Sequence, residues 1–160
     1  MRPHILVDHI IKPTMHAFEQ TLPLINKPNS IQLMLAIAAQ ESDCGVYFKS
    51  INGHEMGIWQ VHPDTDTDLH ENFLNTRPEL LMILNHLKSD WMNWPHIQSP
   101  MYNCAIARLC LYRYSEPCPP FNDMDGMWKF YKKRYNSYKG AATEEEWIEN
   151  WNNYVLGMEP

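Results

Sequence analysis

The segment IQLMLAIAAQE, from Ile31 to Glu41, is apolar on almost every side. A helix of that kind cannot lie on a surface; it belongs at the centre of a domain with other elements wrapped around it. Ser30 is the expected N-cap of a helix running from Ile31 to about Glu41. The only ionisable side chain in the segment is Glu41, at its C-terminal end. Burial leaves a carboxylate poorly solvated and the negative end of the helix dipole opposes its charge, so both raise its pKa. A carboxylic acid still protonated near neutral pH is what a glycosidase needs to protonate a leaving oxygen. Helix position alone favours a plainer alternative, a Glu that simply reaches solvent.

The rest of the chain surrounds that helix with others. The 160 residues suit one domain, 1–160, of mainly α class, with 1–29 as a helical N-terminal segment packed on it. Residues 4–20 read as one or two short helices around Pro13, and 22–29 as a connector. Residues 42–75 are rich in Gly, Asp, Asn and Pro and predict a long structured loop with short helical turns. Long loops in compact domains usually carry function. No alternating strand pair is evident beyond a short hairpin within 45–62. Thr76 and Glu79 form a capping-box pattern with Pro78 between them, opening a helix that buries Leu80, Ile83, Leu84 and Leu87. A helix from Ser99-Pro100 to about Tyr114 and one over 123–135 come next. Thr143 and Glu146 make a second capping box, before a face of Trp147, Trp151, Tyr154 and Val155.

Charge and composition narrow the function. The net charge of −6 argues against nucleic-acid binding. The one basic cluster, Lys129, Lys132, Lys133, Arg134 and Lys139, reads as a solvated helix face. No stretch is long enough to insert into a membrane, and the N-terminal apolar run is broken by His4, Asp8, His9 and Lys12, so no signal-peptide core is expected. Cys44, Cys104, Cys110 and Cys118 match no zinc spacing. They are expected as free, mostly buried thiols formed in a reducing compartment, with a single bridge through Cys118 left open. Asp64, Asp66 and Asp68 alternate like the start of a calcium loop, but Leu69 and Asn75 occupy its sixth and twelfth positions. A solvated turn with helix-capping Asp is the better reading, and neither metal nor cofactor is expected. Six Trp, eight Tyr and five Phe are a rich aromatic supply. Most should fill the core, and some should line a groove, since rings cover the apolar faces of sugars.

The order of residues after Glu41 changes the weight of that carboxylate. Glu41-Ser42 is followed by Gly57-Ile58-Trp59-Gln60-Val61 and then Pro63-Asp64-Thr65. This block resembles the signature of the soluble lytic transglycosylase family, which shares the goose-type lysozyme architecture. LVDHIIKP, the stretch from Asp68 to Pro78, and WKFYKKRYNSYKGAATEEEWIENW further resemble small phage-encoded transglycosylase-like proteins. The resemblance implies a lysozyme-like domain with a long active-site loop. It implies that Glu41 is the acid and later the base, that Ser42 supports the site through its hydroxyl, and that Gly57 permits a close backbone turn over the groove. It places Ile58, Trp59 and Gln60 at the substrate, with the Gln60 amide positioning a sugar or the acid. Tyr135 and Asn136 resemble the family's Tyr-Asn pair, whose Tyr lies near the catalytic carboxylate. The family continues Ala-Gly where this chain has Ser137-Tyr138. Asn103 and Arg108 lie where the family has a structural Asn, without a secure alignment.

The implied reaction uses one carboxylic acid, unlike the paired carboxylates of most glycosidases. Glu41 would protonate the β-1,4 oxygen of peptidoglycan, the substrate's N-acetyl group would stabilise the anomeric centre, and Glu41 would then deprotonate the muramic acid 6-hydroxyl. A second carboxylate would convert this to hydrolysis; the candidates are Asp43, Glu55, Asp64, Asp66 and Asp68, with Glu55 foremost. His54 and His62, flanking the Gly-Ile-Trp-Gln segment, read as polar loop residues. Without an export signal, host lysis or delivery in a phage particle would bring such an enzyme to the wall, so phage tail or core proteins are candidate partners. The competing readings are a lysozyme-type hydrolase and a non-catalytic virion protein that keeps the fold.

Overall fold

The computed structural model describes residues 1–48, 54–88, 96–137 and 140–160. Those residues form seven helices, a short 3-10 turn at His96–Gln98 and no strand. The nearest thing to a hairpin among them is one antiparallel bridge between Met56 and Val61. Helix α1 spans 3–18 without a break: Pro3–Leu6, a widened turn at Val7–Ile11, then Lys12–Phe18. The widened turn sits just before Pro13, which lacks an N–H and crowds the carbonyl four residues back; the helix absorbs it by passing the Lys12 N–H to Val7 O.

Helix α2, Pro28–Ser42, is the central element expected from its composition, with residues 31–39 buried. It begins earlier than the sequence suggests. Lys27, not Ser30, is the N-cap, because Pro28 occupies the first turn and pushes the residue before it into extended backbone. Ser30 is buried in the first turn instead, accepting a hydrogen bond from Arg108 Nη2 at 3.1 Å. The helix ends where Asp43 turns left-handed (φ 49°) and the Cys44 N–H bonds Ala38 O at 3.0 Å.

Residues 42–75 are not one long loop. Helix α3 covers 63–74, as Pro63–Leu69 and His70–Leu74, burying Leu69 and Leu74. Its N-cap is His62, whose ring accepts from the Asp64 N–H. Helix α4, Pro78–Leu87, buries Leu80 and Leu84, with Ile83 and Leu87 partly covered. Its capping box does not form: Arg77 is the N-cap, and Thr76 Oγ1 receives Arg77 Nη1. Helix α5, Pro100–Tyr112, is a second stretch buried on all sides from Tyr102 to Leu111. Helix α6 covers 124–136, and helix α7 covers 144–155 behind the expected Thr143–Glu146 capping box. Helix α7 packs on α2, while α1 and α3 pack on α5. Trp147, Trp151 and Val155 are buried, and Tyr154 lies half-covered beside them.

Candidate active site

Trp59 organises the site. Its indole N–H donates to Met34 O on α2 (2.9 Å), its backbone N–H donates to Asn103 Oδ1 on α5 (2.8 Å), and its carbonyl accepts from Tyr135 Oη on α6 (2.6 Å). One buried residue thus joins the segment 56–61 to three helices. Asn103 completes the clamp by donating Nδ2 to Met56 O at 3.0 Å. Gly57 is required here for two reasons. Its φ is +79°, and a Cβ would lie 2.4 Å from the Asn103 amide. The close approach is therefore to α5 in the interior rather than over the groove.

Ser42 fastens the same segment to the end of α2. Its hydroxyl donates to Ile58 O (2.6 Å) and accepts from the Gly45 N–H (2.9 Å). Ser42, Ile58 and Trp59 are all buried and hold the loop; of the three, Ser42 also lines the second cleft. Gln60, at φ 47°, is half-buried on the cleft wall with Nε2 donating to Gly57 O at 2.7 Å.

Glu41 emerges from the end of α2 between two clefts of about 790 and 810 Å³. Glu41, Tyr47 and Asn136 line both, so the carboxyl stands at their junction. Tyr131 Oη donates to Glu41 Oε1 at 2.7 Å. The Tyr131 ring stacks on Trp147 (centroids 5.1 Å apart) and on Tyr135 (6.1 Å). The hydroxyl therefore has little freedom to leave the carboxyl. Tyr135, which the resemblance puts beside the carboxylate, lies one turn further along α6, lines the first cleft and spends its hydroxyl on Trp59 O. The sequence does not single out Tyr131, because both rings lie on one helix face at i and i+4, and only packing decides which reaches α2.

Burial dominates the electrostatics of Glu41 and pushes its pKa up to about 7. The Tyr131 hydrogen bond pulls the other way, since it favours the carboxylate, and the charge of Glu55 adds a smaller upward push. Glu55 lines the first cleft with Glu41. The other acidic candidates are placed differently. Asp43 lines the second cleft, while Asp64 is nearly fully exposed beside His62. Asp66 accepts from Tyr102 Oη, and Asp68 pairs with Arg113, which holds its carboxyl below the usual range. His62 lines the first cleft and stacks on His54 at 6.0 Å. Asn136 accepts from Lys132 Nζ at 2.8 Å. Lys133 and Arg134 pair with Glu116, and Lys129 with Asp125; Lys139 and Tyr138 lie outside the described residues.

The aromatic side chains follow the expected division between core and groove. Most rings do fill the core, but Tyr47, 59% exposed, stands at the junction of the clefts beside Glu41. The second cleft also carries the amides of Gln40, Asn150 and Asn153. All four cysteines are free, three of them buried and Cys118 partly so. Among the described residues no helix is long and apolar enough to cross a membrane. Searches with this chain match no protein-family model, no curated protein and no solved structure.

Proposed function

We propose that this chain is a peptidoglycan lytic transglycosylase, a lysozyme-like glycan lyase that cuts the β-1,4 bond between N-acetylmuramic acid and N-acetylglucosamine. One observation carries the reading: a carboxylic acid with a pKa near 7 stands between two clefts, where a chain lying across it would have units on either side. Protonated Glu41 gives its proton to the glycosidic oxygen as the C–O bond breaks. The substrate's own N-acetyl oxygen covers the anomeric carbon. The resulting Glu41 carboxylate takes the proton of the muramic acid 6-hydroxyl, which closes on the anomeric carbon to give a 1,6-anhydro end. Glu41 finishes protonated, so no net proton is consumed. Tyr131 steadies the carboxylate form between the two steps. Tyr47 offers a ring face to a sugar, and Gln60 and Asn136 offer amides on the cleft walls.

Digestion of purified sacculi by the wild-type protein and by Glu41→Gln tests this. Anhydro-muropeptides from the wild type and none from the variant are expected; equal release by both would remove Glu41 from the chemistry. Glu55, on the same cleft, favours a second reading in which it guides a water and the enzyme hydrolyses the bond. Mass spectrometry separates the two, because an anhydro end is one water lighter than a reducing end. Action on the wall from within a phage particle remains part of the proposal.

A further inference from the structure

A third pocket, of about 400 Å³, lies away from Glu41 between the start of α2, the middle of α5 and the 114–118 segment. Its walls are apolar where Leu33, Leu111 and Phe130 face it, all at most 5% exposed. Arg108 lines it and is itself only 5% exposed. That guanidinium has no carboxylate partner among the described residues. Among the described residues its one hydrogen bond runs from Nη2 to Ser30 Oγ, and Nε is buried without an acceptor there. The Tyr112 ring, 5.5 Å away, offers only a partial substitute. A buried charge is normally paired, because removing it from water is costly. Lys27 adds a second cation at the mouth, whereas the nearby Glu116 is already held by Lys133 and Arg134.

The walls are fixed before any ligand arrives. Asn29 Nδ2 donates to Cys118 O and to Pro119 O (2.9 Å), and Gln32 exchanges two hydrogen bonds with Asn122. We propose that this pocket binds a small organic carboxylate with an apolar body, its two oxygens taken by the Arg108 guanidinium and its body packed on the Leu33–Leu111–Phe130 walls. The pairing is the bidentate geometry that a guanidinium and a carboxylate share. The site is independent of the glycan chemistry proposed for Glu41.

Cys118 reports on the pocket, since it lines it and is the least buried of the four thiols. Phenylacetate is the probe, phenylacetamide its uncharged counterpart and inorganic phosphate the anion without an apolar body. In the wild-type protein, phenylacetate at about ten times its Kd should slow alkylation of Cys118 about tenfold, since only the unliganded fraction reacts. Phenylacetamide and phosphate should leave the rate unchanged. Arg108→Met should abolish the protection while keeping or raising the Tm of the ligand-free protein, because it removes an uncompensated buried charge. No protection by phenylacetate overturns the proposal, as does equal protection by either control. Protection that survives in Arg108→Met, or a fall in Tm beyond about 4 °C, would make the guanidinium a structural strut instead. The wild-type comparison of acid and amide needs no variant and decides the matter if Arg108→Met fails to fold.

Discussion

Replacing Glu41 by Gln should stabilise the protein, and more so at higher pH. The folded-state pKa of Glu41 is raised from 4.5 to about 7. Between those values the folded protein holds a proton that the unfolded chain has released, so stability falls as pH rises through that window. Below both values no cost is incurred, and above both it is complete. Linkage puts the cost at about 1 kcal/mol near pH 5 and about 3 kcal/mol near pH 8. Gln carries no charge at either pH, and its amide oxygen can still accept from Tyr131 Oη, which now bonds Oε1 at 2.7 Å. The variant should therefore match the wild type to within ~1 kcal/mol near pH 5 and exceed it by about 3 kcal/mol near pH 8, or about 6–12 °C in Tm for a chain of this size. Thermal melts of both proteins across that range are the assay. A gain that does not depend on pH, or a loss near pH 8, would mean that the carboxyl is well solvated when charged, and Glu41 would then hold no proton to give near neutral pH.

Four further outcomes test the parts around it. Tyr131→Phe removes a hydrogen bond that favours the carboxylate, so the Glu41 midpoint should rise by about 1 unit in a carboxyl NMR titration, and the alkaline limb of activity should move with it. Glu55→Gln should lower that midpoint, since its charge pushes Glu41 upward; it should leave anhydro products intact in the transglycosylase reading and abolish turnover in the hydrolase reading. Gly57→Ala should cost about 3 kcal/mol in denaturant unfolding, from left-handed strain and displacement of the Asn103 amide. Tyr47→Ala should change stability by less than ~0.5 kcal/mol, since its ring is exposed, yet raise KM about fivefold if the ring covers a sugar face as proposed.

Parts of the fold and site are legible in the chain because one signal has a single physical solution. An all-round apolar helix has to be central, and its lone acid has to feel that burial. The Thr143–Glu146 capping box forms because both partners lie in one turn, whereas at Thr76 an Arg stands at the N-cap and the same pattern produces no box. Helix α3 is hidden by its composition. Asp, Thr, His and Asn read as loop, and its buried residues are only Leu69 and Leu74, too few for a helical period to show; Pro63 in its first turn is the available cue. Asn103 and Tyr131 cannot be assigned locally. What each side chain reaches depends on where α5 and α6 lie against the 56–61 segment and α2, which is a tertiary matter.

The residues that carry the sequence resemblance divide by burial into two kinds of work. Gly57, Ile58 and Trp59 face inward and anchor the segment to α2, α5 and α6, and Glu41, Gln60 and Asn136 border the clefts; Ser42 does both, bonding Ile58 O and lining the second cleft. That division has a physical basis. A general acid works only if its surroundings stay dry and fixed while it changes charge, and a loop bonded to three helices deforms little when that happens. The same loop holds Glu55 on the cleft wall, so loosening it should change two things together, the acid's pKa and the position of the second carboxylate. Glu41 is thus tuned chiefly by its enclosure, and the Tyr131 hydroxyl offsets only part of that effect.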